Sequence, residues 1–178
     1  MNNDQFSVNT VQCIILAAGQ GTRMKSQRPK VLHPIAGQPM VRYAIEVANS
    51  IGSLRPSVVV GHGAEDVKQA IGESVSYALQ APQLGTGHAV LCAREQIDPA
   101  SELVVVLYGD TPLITAETLQ HLIDAHVQSD ATVSLITFRP LPVRSYVTPM
   151  RGEKFLNVTP ASAPLNDSSG SWLKTAPV

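Results

Sequence analysis

The sequence lacks any large excess of charge, is poor in cysteine and has no long apolar run, and each shortage narrows what the chain can be. With 13 Lys and Arg against 14 Asp and Glu, the formal net charge is −1. A nucleic-acid backbone or an anionic membrane attracts a broad basic field, so both are excluded as expected partners and any anion site has to be local. The 2 cysteines are Cys13, in an apolar strand pattern, and Cys92, in a helical pattern. Buried thiols fit these positions better than a disulfide or a metal pair. No apolar run approaches the roughly 18 residues that a membrane-spanning helix needs. The opening "MNNDQFSVNT" is polar and has none of the regions of a signal peptide, which leads us to expect a cytoplasmic protein.

What is present is enough for one domain. The chain has 178 residues, 44% of them hydrophobic, and that supports a single core rather than two large ones. "VQCIILA" (11–17) is continuously apolar, as in a strand buried on both faces of a parallel sheet. Apolar residues at 40, 41, 44, 45, 47, 48 and 51 share one helix face, and Gly52 stands where a C-terminal cap belongs. Further strands are expected over 57–60, 75–79, 103–108 and 131–138. Helices are expected over 64–71, 86–97 and 116–127, the last with Thr115 as candidate N-cap. This alternation predicts an α/β fold with a doubly wound, mostly parallel sheet, whose ligand site lies at the carboxyl ends of the strands.

After Phe138 the chain becomes rich in Pro and Ser and sustains neither period. Residues 1–138 are therefore read as the domain and 139–178 as an irregular, poorly ordered tail. There is no internal repeat and no heptad pattern.

The stretch "LAAGQGTRMKSQRPKVLHPIAGQPM" follows the first strand. Gly19 and Gly21 allow the backbone to approach an anion, and Arg23 and Lys30 can give charge-assisted hydrogen bonds to phosphate oxygens. A dinucleotide fingerprint wants a third glycine where Met24 stands, and an acid at the end of the second strand where Gly61 follows Val60. A Walker A loop ends in Gly-Lys-Ser/Thr, whereas this one ends Gly21-Thr22-Arg23. Neither cradle matches. Two further loops fall at the same sheet edge. "QAPQLGTGHA" (80–89) offers amides and the Gly85-Thr86-Gly87 backbone to a base edge. "YGDTPLI" (108–114) sets Asp110 where a carboxylate can hold Mg²⁺ together with phosphate oxygens. His33, His62, His88, His121 and His126 contain no i, i+4 histidine pair and are read as structural or surface residues.

In this order and spacing, the stretch from Leu16 to Met40, "LQAPQLGTGHA" and "LYGDTPLI" resemble the N-terminal uridylyltransferase domain of bifunctional N-acetylglucosamine-1-phosphate uridylyltransferase/glucosamine-1-phosphate acetyltransferase. The resemblance runs from about Val11 to Phe138. Leu-Ala-Ala-Gly-x-Gly-Thr-Arg-Met marks sugar-nucleotide transferases generally; Pro-Lys-Val-Leu-His and Gln-Leu-Gly-Thr-Gly-His-Ala narrow the match to this family.

The resemblance implies a Rossmann-like nucleotide-diphospho-sugar transferase fold, incomplete at the C-terminus. It also implies Mg²⁺-dependent transfer from UTP to N-acetylglucosamine 1-phosphate, in the cytoplasmic synthesis of peptidoglycan and lipopolysaccharide precursors. Leu16, Ala17, Ala18, Gly19 and Gly21 would contact the nucleotide through the loop, with Gln80, Gly85 and Thr86 around the uracil. Arg23 and Lys30 would be the catalytic cations on the triphosphate. Tyr108, Gly109 and Asp110 would lie along the nucleotide sugar, with Asp110 as metal ligand.

The family's N-acetylglucosamine-binding residues, its Pro-x-x-Tyr-Gly-Arg segment and its β-helix acetyltransferase domain, which oligomerises, are not recognisable here. Read one nucleotide later, a back-translation of "PLPVRSYV" permits Pro-Tyr-Arg-Tyr-Gly-Arg, so a frameshift after about residue 139 is expected. The alternative function is accordingly a nucleotide-binding fragment without a sugar site. A sheet cut short in this way would also leave an edge strand uncovered.

Overall fold

Val11–Leu16 forms β1, buried at all six positions, as an uninterrupted apolar run requires of a strand covered on both faces. In the computed structural model, the described residues are 10–129, 131–137 and, as backbone, 157–160. Contacts divide the chain into one unit of Ser7–Ala116 and another of Met1–Phe6 with Glu117–Val178.

In the first unit, β1 is followed by two short 3₁₀ turns, Thr22–Met24 and Lys30–Leu32. Next comes a small antiparallel hairpin of β2 (Pro34–Ile35) and β3 (Gln38–Pro39). Its turn residues Ala36 and Gly37 both have positive φ, 47° and 91°, the requirement of a tight hairpin turn that follows the strand twist. Helix α1 (Met40–Ser50), β4 (Leu54–Val60), α2 (Ala64–Ile71), β5 (Ser76–Leu79), α3 (Thr86–Cys92) and β6 (Leu103–Tyr108) follow. The four long strands pair in parallel in the order β5-β4-β1-β6. The sheet is thus α/β and parallel, as the alternation predicted. The strand order reverses between β1 and β6, which opens a crevice there.

Side-chain alternation assigns the faces. Ile14 and Leu16 join Val59, Ala78, Ala89 and Ala93 in one cluster, so α3 covers that side. Cys13 and Ile15, one residue out of phase, point to the other side. Helix α1 also packs on β1 yet contributes nothing to the first cluster, and it covers the opposite face.

Three boundaries differ from the sequence reading by more than a residue, two of them for a local reason. β4 starts at Leu54 rather than Ser57, because the pairing shifts register between Gln12 and Ile14 and so passes Pro56, which has no N–H to give. The helix expected over 86–97 ends at Cys92 and continues as a 3₁₀ turn at Arg94–Gln96. There Ala93 and Gln96 donate three residues back rather than four. The last expected strand is β7, only Ser134–Thr137.

Gln12 is polar within the apolar run, 2% exposed, and fully partnered. Its Nε2 donates to the Gln96 carbonyl at 2.9 Å, the Arg55 carbonyl at 3.2 Å and Ser57 Oγ at 3.2 Å. Its Oε1 accepts from the Asp98 amide at 2.7 Å and Ser101 Oγ at 3.1 Å. This side chain ties the amino end of β1 to β4 and to the segment entering β6.

The second unit contains α4 (Ala116–Gln128) apart from its first residue, and β7 pairs antiparallel with β8 (Asn157–Pro160). His126 Nδ1 lies 2.9 Å from Ser134 Oγ. β8 falls inside the stretch read as an irregular tail; the rest of that stretch, and the break expected after about residue 139, lie outside the described residues. Among the described residues, no helix is long and apolar enough to cross a membrane. Both cysteines are free; Cys13 is buried and Cys92 only half-buried, so the expectation of two buried thiols holds for the first alone.

Two tests follow. Gln12→Leu leaves buried carbonyl and amide groups without partners, and should cost about 1–3 kcal/mol in urea unfolding. Burial pushes the Cys13 thiol up to about 11 against a smaller lowering by Ser53, so it stays protonated at pH 8. Iodoacetamide should therefore modify Cys92 alone in the native protein and both cysteines in urea, as read by intact mass.

Candidate active site

The carboxyl end of β1 is where three loops are tied together by hydrogen bonds to backbone groups. The Ala17 amide donates to the Val59 carbonyl at 2.9 Å, and the Gly109 amide donates to the Leu16 carbonyl at 2.9 Å. Gln83 Nε2 donates to the Ala18 carbonyl at 2.6 Å. Loops leaving β1, β5 and β6 are thereby held around one cleft of about 320 Å³.

The first wall of this cleft is Leu16, Ala17, Ala18 and Gly19; the second is Gln80, Gln83, Gly85, Thr86 and Ala89. Lys30 and Val31 come from the 3₁₀ turn, and Tyr108 and Asp110 from the end of β6. Ten of the residues named from the sequence therefore meet at one place. Lys30 Nζ contacts Asp110 Oδ2 at 2.5 Å, across 80 residues of sequence. Both side chains remain partly exposed, at 40% and 31%, so the pair can exchange its partners for a ligand.

Three of the named residues stand elsewhere. Gly109 supports the cleft rather than lining it: a Cβ there would come within 3.2 Å of the Leu16 carbonyl and 3.3 Å of Val31. Gly21 belongs to a neighbouring open concavity with His62 and Pro82. Arg23 is exposed in the 3₁₀ turn and outside the cleft lining.

Gly21 has a second task. Its φ is +62°, and a Cβ there would lie 2.7 Å from Lys30 Cβ. Only glycine fits the left-handed backbone and lets the loop pass so close to the lysine. Gly61 shows why an acid could not stand after Val60: even a Cβ would sit 2.7 Å from Gln83 Nε2 and 2.9 Å from Ala18 Cβ.

The sequence reading missed Gln83, Val31 and Ala89. Gln83 was visible only as one of the amides in "QAPQLGTGHA", and nothing local distinguishes its job from that of Gln80. Gln80 is 5% exposed and bonds through Nε2 to the Gly85 carbonyl at 2.8 Å and His88 Nδ1 at 3.2 Å. Among the described residues no three His, Cys, Asp or Glu gather as a metal cage, and Asp110 is the one carboxylate in the cleft.

The glycines give a paired test. Gly21→Ala should lose about 1–2 kcal/mol or more from the left-handed backbone alone. Gly19→Ala, whose Cβ meets nothing within 4 Å, should stay within about 0.5 kcal/mol of the parent protein in the same denaturation series.

Comparison with known proteins agrees with this architecture. Bifunctional protein GlmU of Exiguobacterium sibiricum is 49% identical over 140 residues, which is 79% of this chain and 31% of that protein. Its counterpart in Syntrophotalea carbinolica is 52% identical over 125 residues, 70% of this chain and 27% of that protein. The chain thus spans about a third or less of the length of these relatives. Among solved structures, a UDP-glucose pyrophosphorylase complexed with UDP-glucose superposes with a TM-score of 0.57 at 25% identity, covering 71% of this chain and 56% of that one. Rv0371c of Mycobacterium tuberculosis H37Rv, in complex with manganese, shares the fold with a TM-score of 0.58 at 20% identity, over 71% of this chain and 63% of that one. The model of the MobA-like NTP transferase domain matches residues 13–152, and the chain belongs to that family.

Proposed function

We propose that the cleft binds UTP and supports transfer of its uridylyl group to N-acetylglucosamine 1-phosphate, giving UDP-N-acetylglucosamine and pyrophosphate. The observation that carries this reading is the Lys30–Asp110 pair at 2.5 Å, set at the strand-order reversal among loops whose sequences match the uridylyltransferase domain. In this reading residues 1–138 are the transferase domain, 139–178 are a tail, and the reaction belongs to cytoplasmic synthesis of cell-envelope precursors.

The chemistry asks little of the protein beyond placement and charge. A phosphate oxygen of the sugar phosphate attacks the α-phosphorus of UTP in line. The bond from the α-phosphorus to the bridging oxygen breaks, and pyrophosphate leaves with the electron pair. The attacking oxygen is already anionic, so no general base and no covalent enzyme intermediate is required. Alignment of two mutually repelling anions and neutralisation of the leaving group account for the catalysis.

Lys30 Nζ is the cation already at the cleft; releasing Asp110, it turns its three donors to phosphate oxygens. Arg23, on the exposed loop between Gly19 and Lys25, adds a second charge when that loop folds over the triphosphate. The backbone of Leu16 to Gly19 bears the nucleotide, with Gly21 admitting Lys30 alongside. Gln80, Gly85 and Thr86 surround the uracil, and Tyr108 lies along the ribose with Gly109 behind it.

Asp110 fits a divalent cation held jointly with phosphate. Mg²⁺ takes one or two carboxylates, substrate oxygens and waters rather than a cage made wholly by protein. Such an ion, when bound, neutralises charge on the leaving pyrophosphate.

A second reading is nucleotide binding without transfer. It is favoured by the cleft lining, every residue of which comes from the loops assigned here to the nucleotide. A pyrophosphate-release assay with UTP, N-acetylglucosamine 1-phosphate and Mg²⁺ separates the two. Turnover in the parent protein that falls about 100-fold in Lys30→Ala and in Arg23→Ala supports transfer. UTP binding with no pyrophosphate released supports the second reading, and near-normal turnover in either variant removes that residue from the mechanism.

A further inference from the structure

Gln80 has two amide hydrogens, and the fold uses both of them. One goes to the Gly85 carbonyl at 2.8 Å and the other to His88 Nδ1 at 3.2 Å. A carbonyl only accepts, so the atom facing Gly85 is Nε2, and the two bonds together hold the amide this way round. Its backbone amide is also held, donating to the Val60 carbonyl at 2.8 Å. The remaining polar atom, Oε1, has no protein partner among the described residues. It is not sealed in either, because the one buried and unpartnered side-chain polar atom among them is His33 Nε2. Gln80, 5% exposed and on the cleft wall, therefore has one unspent side-chain group, a hydrogen-bond acceptor.

His88 does not line the cleft. With Gln80 donating to Nδ1, the neutral ring has its own proton on Nε2, which faces Cys92 Sγ at 3.7 Å, one turn along α3. Counting histidines alone had hidden this i, i+4 pair. Donation thus runs from the Gln80 amide through His88 toward Cys92, and leaves the Gln80 oxygen without a protein partner among the described residues.

We propose that His88 is a positioning residue that sets nucleobase choice by holding the Gln80 amide with its oxygen toward the base. The inference rests on the reading above that the cleft takes a uracil nucleotide. Uracil presents an N–H at ring position N3, whereas cytosine presents a lone pair there. An acceptor fixed opposite N3 bonds the first and repels the second. An amide free to turn would offer N–H instead and would accept cytosine. The Gly85 carbonyl and His88 Nδ1 hold the amide together; without an acceptor at residue 88 one of these two bonds is gone, and turning the amide to present N–H to the base then costs only the bond to Gly85.

Calorimetric titration of the full chain with UTP and with CTP, each with Mg²⁺, tests this in His88→Leu and His88→Asn. The Asn side-chain carbonyl can accept near the position of Nδ1, and leucine cannot. His88→Leu should lower the preference for UTP over CTP about tenfold, while His88→Asn should keep it within about twofold of the parent protein. An unchanged preference in His88→Leu overturns the inference, and so does an equal loss in His88→Asn, because a packing role would not distinguish an acceptor from its absence. If His88→Leu does not fold, His88→Ala replaces it under the same two criteria. A parent protein that binds UTP no better than CTP overturns the uridine reading itself, and this inference with it; the behaviour of the variants bears on His88 alone.

Discussion

Everything in the first unit depends on the carboxyl end of β1 being held from both sides at once. β1 is the inner strand next to the reversal of strand order, paired with β4 on one edge and β6 on the other. Its last carbonyls and the amide beyond them still need partners after the ladders end, and an unpaired buried backbone group is costly. The partners come from the neighbouring strands and loops: Val59, Gly109 and Gln83. The same bonds that satisfy the strand end therefore gather the loops that line the cleft. Gln12 does the corresponding work at the amino end. The strand is pinned at both ends by different means, mostly backbone bonds at the site and one side chain away from it.

Charge is placed as economically. A chain with a net charge of −1 cannot attract an anion by its overall field, so the attraction has to come from one or two cations held where the anion sits. Lys30 stands on a 3₁₀ turn whose next two residues, Val31 and Leu32, are buried at 4% and 5% exposure. That burial anchors the turn. The loop then passes the lysine so closely at Gly21 that no Cβ fits. The partner, Asp110, follows directly on Gly109, whose amide is bound to β1. The carboxylate is thus hung from β1 and the cation from a turn packed against α1 and α2, and the two meet although 80 residues separate them.

Much of this was legible because the elements are long enough to show a period. The run 11–17, the helix face of 40–51 and the strand 103–108 each bury a continuous or regularly spaced apolar set, and the structure has them within a residue or so. The hairpin of Pro34–Ile35 with Gln38–Pro39 was not legible, since two residues cannot display a period. Gln12 was absorbed into an apolar run, because its five partners come from positions more than 40 residues away in sequence. Gln83 was invisible as an individual for the same reason, since it serves the Ala18 carbonyl just beyond β1; His88 was invisible because its bond to the Gln80 amide, eight residues back, depends on how the loop between them folds.

The sequence by itself determined the fold class, the strands and helices that build the sheet, and the loops that would carry the cleft. Those follow from periodicity, from glycine and proline positions and from motif spacing, all of which are local. Only the tertiary structure decided that Lys30 faces Asp110, that Arg23 and Gly21 stand outside the cleft, and that Gln80 spends both its donors on Gly85 and His88. The reason is physical. A hydrogen bond or an ion pair depends on distances of about 3 Å between atoms, and residues far apart in sequence reach such distances only once the strand order has been set.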